Sequence, residues 1–140
     1  MTSELARTLS ISGTLLEQIG AHAISCYPEE ACGLLVGNSS THTVLEFHSC
    51  VNIAKSARVY TLDPLQHLRI ERDAESRGLD VIGVMHSHTH TEAYPSATDI
   101  GQAPDPTWHY MIVTLMRGVS EPRSFRIVNG KVAEEEVVSV

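Results

Sequence analysis

At 140 residues, 42% of them hydrophobic, the chain has the length of one domain and enough apolar side chains for a buried core. Its formal net charge is −7, from 17 acidic and 10 basic side chains. That excludes the basic footprint by which proteins hold nucleic acid or anionic membrane. No apolar run is long enough to span a bilayer, and the opening MTSELARTLS lacks the basic-then-apolar pattern of a signal peptide. These features point to a cytoplasmic protein. The three cysteines, Cys26, Cys32 and Cys50, are odd in number and have no CxxC spacing. They read as buried reduced thiols rather than a disulfide framework.

In chain order, Leu9 and Ile11 suggest a short strand, and Leu15, Leu16, Ile19 and Ala23 recur at helical spacing. That helix should end before Pro28. The run from Ala31 to Gly37 suits a buried strand, and Thr43 to His48 suits its hairpin partner across Asn38-Ser39-Ser40. Asp63-Pro64-Leu65-Gln66 is a helix start, with Asp63 as cap and Gln66 completing a capping-box variant. Leu65, Leu68 and Ala74 are expected on that helix's inner face, and Gly78 at its end. Val81 to Met85 is a further buried strand that delivers the chain to His86. Ser96 to Asp99 reads as a capping box opening a short helix that Pro104 and Pro106 end. Strands follow at Trp108 to Met116, Ser124 to Val128 and Val132 to Val138, the last two joined by an Asn129-Gly130 turn. The pattern predicts one α/β domain over residues 1–140, a mixed β-sheet flanked by helices.

Residues 86–99 read HSHTHTEAYPSATD. On an extended segment, residues two apart face the same side, about 6.6 Å apart, so His86 and His88 can converge on one ion. Asp99 offers a third ligand, although taken alone it reads better as completing the cap. Ser96 is likewise open between cap and catalytic donor, and both roles can coexist. Three ligands leave a zinc ion one position for water, as catalytic sites require. A hydrolase of this kind also needs a carboxylate base that is not itself a ligand. Glu29 and Glu30 both stand at the mouth of the Ala31 strand, and strand alternation alone does not choose between them.

The order of these residues resembles the JAMM, or MPN+, family of zinc isopeptidases. That motif is a glutamate on an early strand, H-[ST]-H, seven residues, then S-x-x-D. Here it reads His86-Ser87-His88, Thr89 to Pro95, and Ser96-Ala97-Thr98-Asp99, preceded by Tyr27-Pro28-Glu29-Glu30-Ala31-Cys32-Gly33. The likeness runs from about Leu9 to Val137, and one departure is Thr89, where many members have proline. It implies an MPN (cytidine-deaminase-like) fold, Zn²⁺ on His86, His88 and Asp99, Glu30 as base and Ser96 as oxyanion donor.

Within the family, Thr91-Glu92-Ala93-Tyr94-Pro95-Ser96 and Arg126-Ile127-Val128-Asn129-Gly130 resemble the bacterial CysO-cysteine peptidase group. This implies a small ubiquitin-like sulfur-carrier protein with a Gly-Gly tail as partner, and release of a cysteine attached to its C-terminal glycine. The tail is expected to enter by pairing with a sheet edge. Alternatives are trimming of another carrier's C-terminal extension, and a non-catalytic MPN scaffold. A zinc deaminase is excluded because H-x-E and P-C-x-x-C are missing. His90 reads as a solvated loop residue, with a fourth ligand position as the alternative. A homodimer is left open.

Overall fold

The computed structural model describes residues 8–140. Residues 1–7, and with them most of the segment read above for a signal peptide, lie outside the described residues. The strands are β1 (Thr8–Ile11), β2 (Cys32–Asn38), β3 (Thr43–Cys50), β4 (Asp80–His88), β5 (His109–Thr114), β6 (Glu121–Val128) and β7 (Lys131–Ser139). The helices are α1 (Gly13–Cys26), α2 (Pro64–Ser76) and α3 (Ala97–Gly101). None of these helices is long and apolar enough to cross a membrane.

The sheet is mixed, as expected, but it closes into a barrel in the order β1-β3-β2-β4-β5-β6-β7. The closing strand is β1. It runs parallel to β7 from Thr8–Glu136 to Ile11–Ser139 and meets β3 at Ser10–Thr43. Leu9 and Ile11 are fully buried, so the four-residue strand is held mainly by its apolar side chains. A cap not read from the sequence starts α1, and the Asn129-Gly130 turn formed as read. Ser12 caps α1 by accepting from the Leu15 N–H. Asn129 and Gly130 have φ of 52° and 75°, the left-handed pair that a tight hairpin turn demands.

α1 buries Ile19 and Ala23 against Leu35, Met85, Met111 and Val113. α2 differs from expectation. Asp63 caps it, but Leu65 and Leu68 are exposed, while Ala74 is buried and Ile70 packs beside Cys32, Val84 and Trp108. At about 100° per residue, Leu65 lies half a turn round the helix from Ala74, so the two cannot share a face. Gln66 makes no capping box. Its Oε1 accepts from the Val51 N–H at 3.1 Å, tying the helix to the end of β3.

β4 runs further than expected and includes both site histidines. It is antiparallel to β2, with His86 opposite Cys32, and parallel to β5, with His86 opposite Ile112 and His88 opposite Thr114. With both its edges paired, β4 offers no free edge. Cys32 and Cys50 are buried, Cys26 is part-exposed, and all three are free thiols.

At Gly83, β4 approaches β5 so closely that an added Cβ would press into the His109 carbonyl. Gly83→Ala is expected to destabilise the fold by about 1–3 kcal/mol, as overpacking does. Urea unfolding should read this as a lower midpoint with an unchanged slope.

Candidate metal centre and hydrolytic cleft

Strand alternation turns His86 and His88 to one side of β4, and α3 delivers Asp99 to the same point. His86 Nε2 and His88 Nε2 are 3.2 Å apart. Asp99 Oδ2 lies 3.1 Å from the Nε2 of His88 and 3.2 Å from that of His86. Two donors bound tetrahedrally at about 2.0–2.1 Å from one ion sit about 3.3 Å apart. The triangle therefore has the size of one face of such a tetrahedron. The three are the only histidine, cysteine or carboxylate group among the described residues that converges in this way.

Each ligand atom is aimed by a neighbour. The His88 Nδ1–H donates to the Glu92 carbonyl at 2.8 Å, which leaves Nε2 as the lone-pair nitrogen. His86 is held instead by the Tyr60 ring stacked on it at 4.5 Å; its Nδ1 is buried without a partner. The α3 capping box aims Asp99: the Ser96 N–H donates to Oδ2 at 2.9 Å, and Ser96 Oγ accepts from the Asp99 N–H at 3.1 Å. The cap reading of Asp99 thus holds, and the capping carboxylate oxygen is the one that faces both imidazoles. The Ser96 hydroxyl keeps its own proton for another acceptor and lines the cleft.

Glu30 precedes β2 and is only 4% exposed. Its carboxylate lines a cleft of about 590 Å³ together with His88 and Ser96. Oε1 has no hydrogen-bond partner. Burial pushes the carboxyl up to about 8; His88 pulls it back and Asp99 adds to the rise. For Asp99, burial opposes ionisation, but the hydrogen bonds with His86 and His88 outweigh it and hold the carboxyl well below the usual range. Burial lowers His86, with Asp99 partly offsetting it. His88 goes up, because its bonds to Asp99 and the Glu92 carbonyl outweigh its burial. The cluster thus holds one carboxylate kept ionised beside two imidazoles and one carboxyl whose proton affinity burial has raised.

Glu29 is part-exposed and does not line the cleft, so the structure separates the two glutamates that alternation left unresolved. His90 is exposed and bonded to Tyr27 Oη and Thr89 Oγ1, outside the triangle. Sequence reasoning missed three residues. Ser87, between the two histidines, accepts from the Ala31 N–H at 2.7 Å and staples the Glu30 segment to β4. Buried Asn52 donates to the carbonyls of Glu30 and Val59 and accepts from the N–H of Ala54 and Thr61, ordering the loop that carries Tyr60. Tyr60 is the third. A lone Asn or Tyr in a loop has no periodicity to mark it.

With this geometry in view, residues 13–128 match the family of prokaryotic homologs of the JAB domain. The chain belongs to that family and is a hydrolase of the JAB/MPN peptidase class. It is 38% identical over 130 residues to the CysO-cysteine peptidase of Mycobacterium tuberculosis, covering 92% of this chain and 89% of that one. It is 36% identical over 112 residues to the desampylase of Haloferax volcanii, covering 79% and 81%. A solution structure of a Desulfitobacterium hafniense protein superposes with a TM-score of 0.85 at 32% identity, over 94% of this chain and 92% of that one.

The metal-free protein should show the effect of Glu30 on stability. Its carboxyl titrates at about 8 when folded and near the ordinary 4.5 when unfolded. Between these values the unfolded chain binds fewer protons, so stability falls as pH rises from about 4.5 to about 8. Thermal melts of chelator-treated protein across that window should show a downward slope that Glu30→Gln flattens. An equal slope in the variant would remove the assignment.

Proposed function

We propose that the chain is a zinc peptidase that cleaves the bond between the C-terminal glycine of a small ubiquitin-like sulfur-carrier protein and an attached cysteine, freeing the cysteine. The observation that carries this reading is the His86, His88 and Asp99 triangle with the unpartnered Glu30 carboxyl beside it in one cleft. The substrate follows from the relative at 38% identity, whose name states a CysO-cysteine peptidase. The scaffold alternative has no support from relatives that are themselves named as enzymes.

Two imidazole nitrogens and a carboxylate oxygen suit zinc, and His86, His88 and Asp99 would hold it. When bound, zinc supplies Lewis acidity, which acidifies a water and polarises a carbonyl. Glu30 takes the proton from the attacking water as its oxygen bonds to the glycine carbonyl carbon. The Ser96 hydroxyl donates to the carbonyl oxygen as it gains charge; losing one such donor costs about 10²–10³ in rate. Glu30 then returns the proton to the cysteine nitrogen as the C–N bond breaks, leaving a carboxylate on the carrier and a free amine. Its raised pKa suits a group that must both accept and give back a proton.

A carrier body has a place to rest. Ile24, Tyr27, Leu115 and Met116 line an apolar groove of about 480 Å³ that shares Thr89 and His90 with the cleft. Binding energy gained there can orient the scissile carbonyl, so removing the body should lower turnover as well as affinity. A second reading, cleavage of a carrier from a protein lysine, is favoured by the desampylase likeness, which covers less of the chain.

Purified protein should carry about one zinc per chain by metal analysis, following the pattern of three ligands and a water. Glu30→Gln should keep that zinc and lose at least about 10²-fold in hydrolysis, whereas Glu29→Gln should be mild. An inactive Glu29→Gln beside an active Glu30→Gln would reverse the choice of base.

The kcat/KM for an intact carrier–cysteine adduct should exceed that for a Gly-Gly-Cys tripeptide and for a carrier–lysine isopeptide. Equality with the tripeptide would leave a general peptidase, and preference for the isopeptide would favour the second reading.

A further inference from the structure

The opposite end of the β4–β5 pair holds a second imidazole cluster that hydrolysis does not use. His109 lies opposite Gly83, five residues before His88 and hence about 16 Å along the strand from it. The His109 Nδ1–H donates to Glu135 Oε2 at 2.6 Å, and the same oxygen accepts from Ser124 Oγ at 2.7 Å. Glu135 Oε2 is thereby committed to His109 and Ser124, while Oε1 is buried without a hydrogen-bond partner. His109 Nε2 lies 3.0 Å from His42 Nδ1. His42 stands in the β2–β3 turn with a φ of 54°, a conformation uncommon outside glycine.

Beside this chain of groups is a cavity of about 230 Å³, lined by His42, His109 and Arg126 with Val81 and Ile82 as an apolar wall. Arg126 is the buried cation at this cavity. It is 7% exposed, its one hydrogen bond runs from Nη2 to the Pro106 carbonyl, and Nε is buried with no partner. No ion pair to it is present among the described residues. A buried guanidinium without a direct ion pair is costly, and an anion bound in the cavity would supply one. Two further carboxylates near the cavity are engaged elsewhere. Asp80 is exposed and accepts from Ser39 Oγ, and Asp105 is part-exposed and accepts from Thr107.

We propose that this cavity is a binding site for a small oxyanion, with Arg126 supplying the charge and N–H donors and His42 closing over it from the β2–β3 turn. The ligand class follows from size and chemistry. The volume is below that of drug-sized pockets, about 300–1,000 Å³, so a few heavy atoms fill it. Guanidinium and imidazole match the oxygens of a phosphate, a sulfate or a small carboxylate. The site does not depend on the hydrolytic reading.

The test follows the histidine ring resonances of the zinc-loaded full-length chain by NMR. Sodium phosphate, sodium sulfate and sodium acetate are titrated in turn at ionic strength held constant with chloride. Saturable shifts of His42 and His109, with His86 and His88 unmoved, are expected. Response to phosphate and sulfate alone assigns a tetrahedral oxyanion, and response to acetate alone a carboxylate. Arg126→Gln should abolish the shifts. If that variant does not fold, His42→Gly, which fits the left-handed turn, should weaken binding about tenfold through loss of one charge-assisted hydrogen bond. No saturable shift with any of the three anions, shifts confined to His86 and His88, or unchanged affinity in the folded variants would overturn the proposal.

Discussion

Asp99 Oδ2 accepts from the Ser96 N–H and sits against the Nε2 atoms of both His86 and His88. That single oxygen makes the site one object. Two neutral imidazole nitrogens at 3.2 Å can share only one proton between them, and burial disfavours charging either. An ionised carboxylate between them relieves this, and α3 exists at its place in the fold to present it. The helix is five residues long and would not form alone. It is held by the capping box and, through Ile100, by contact with the apolar cluster around Cys32, Val84 and Trp108. The cap and the candidate ligand are the same carboxylate.

The carboxyl facing the cleft is set apart from Asp99 by its surroundings and not by its type. Asp99 has several donors and stays ionised. Glu30 is buried with an oxygen that no protein group satisfies, and burial raises its proton affinity. A dry site separates two carboxyl groups in this way when hydrogen bonds are given to one and withheld from the other. Ser87 and Asn52 maintain the difference. They hold the Glu30 backbone through its neighbour's N–H and its own carbonyl, while its side chain remains free.

The two ends of β4 and β5 use histidine differently. At the His86 end, two lone pairs and a carboxylate oxygen converge, which suits a cation. At the His109 end the carboxylate lies behind the ring, and a guanidinium faces the cavity. The same residue type thus serves opposite charges at the two ends, depending on which side of the imidazole the carboxylate occupies.

Much of this was legible in the residues. Apolar periodicity, proline and glycine positions and capping patterns placed the strands, α1, the Asn129-Gly130 turn and α3, because each is a short-range property of the chain. The His86, Ser87, His88 and Ser96 to Asp99 spacing located the candidate ligands for the same reason. α2 showed the limit. Leu65 and Leu68 were expected inside by composition, yet which face is buried depends on what the helix meets, and it met the sheet through Ile70 and Ala74. Barrel closure by β1, the choice of Glu30 over Glu29, the staples from Ser87 and Asn52, the stacking of Tyr60 and the Arg126 cavity all join residues far apart in the chain. Local pattern determined which elements exist and which side chains could do chemistry. Only tertiary structure decided which of them share a dry space, because burial and the withholding of hydrogen-bond partners are properties of packed neighbours and not of any one segment.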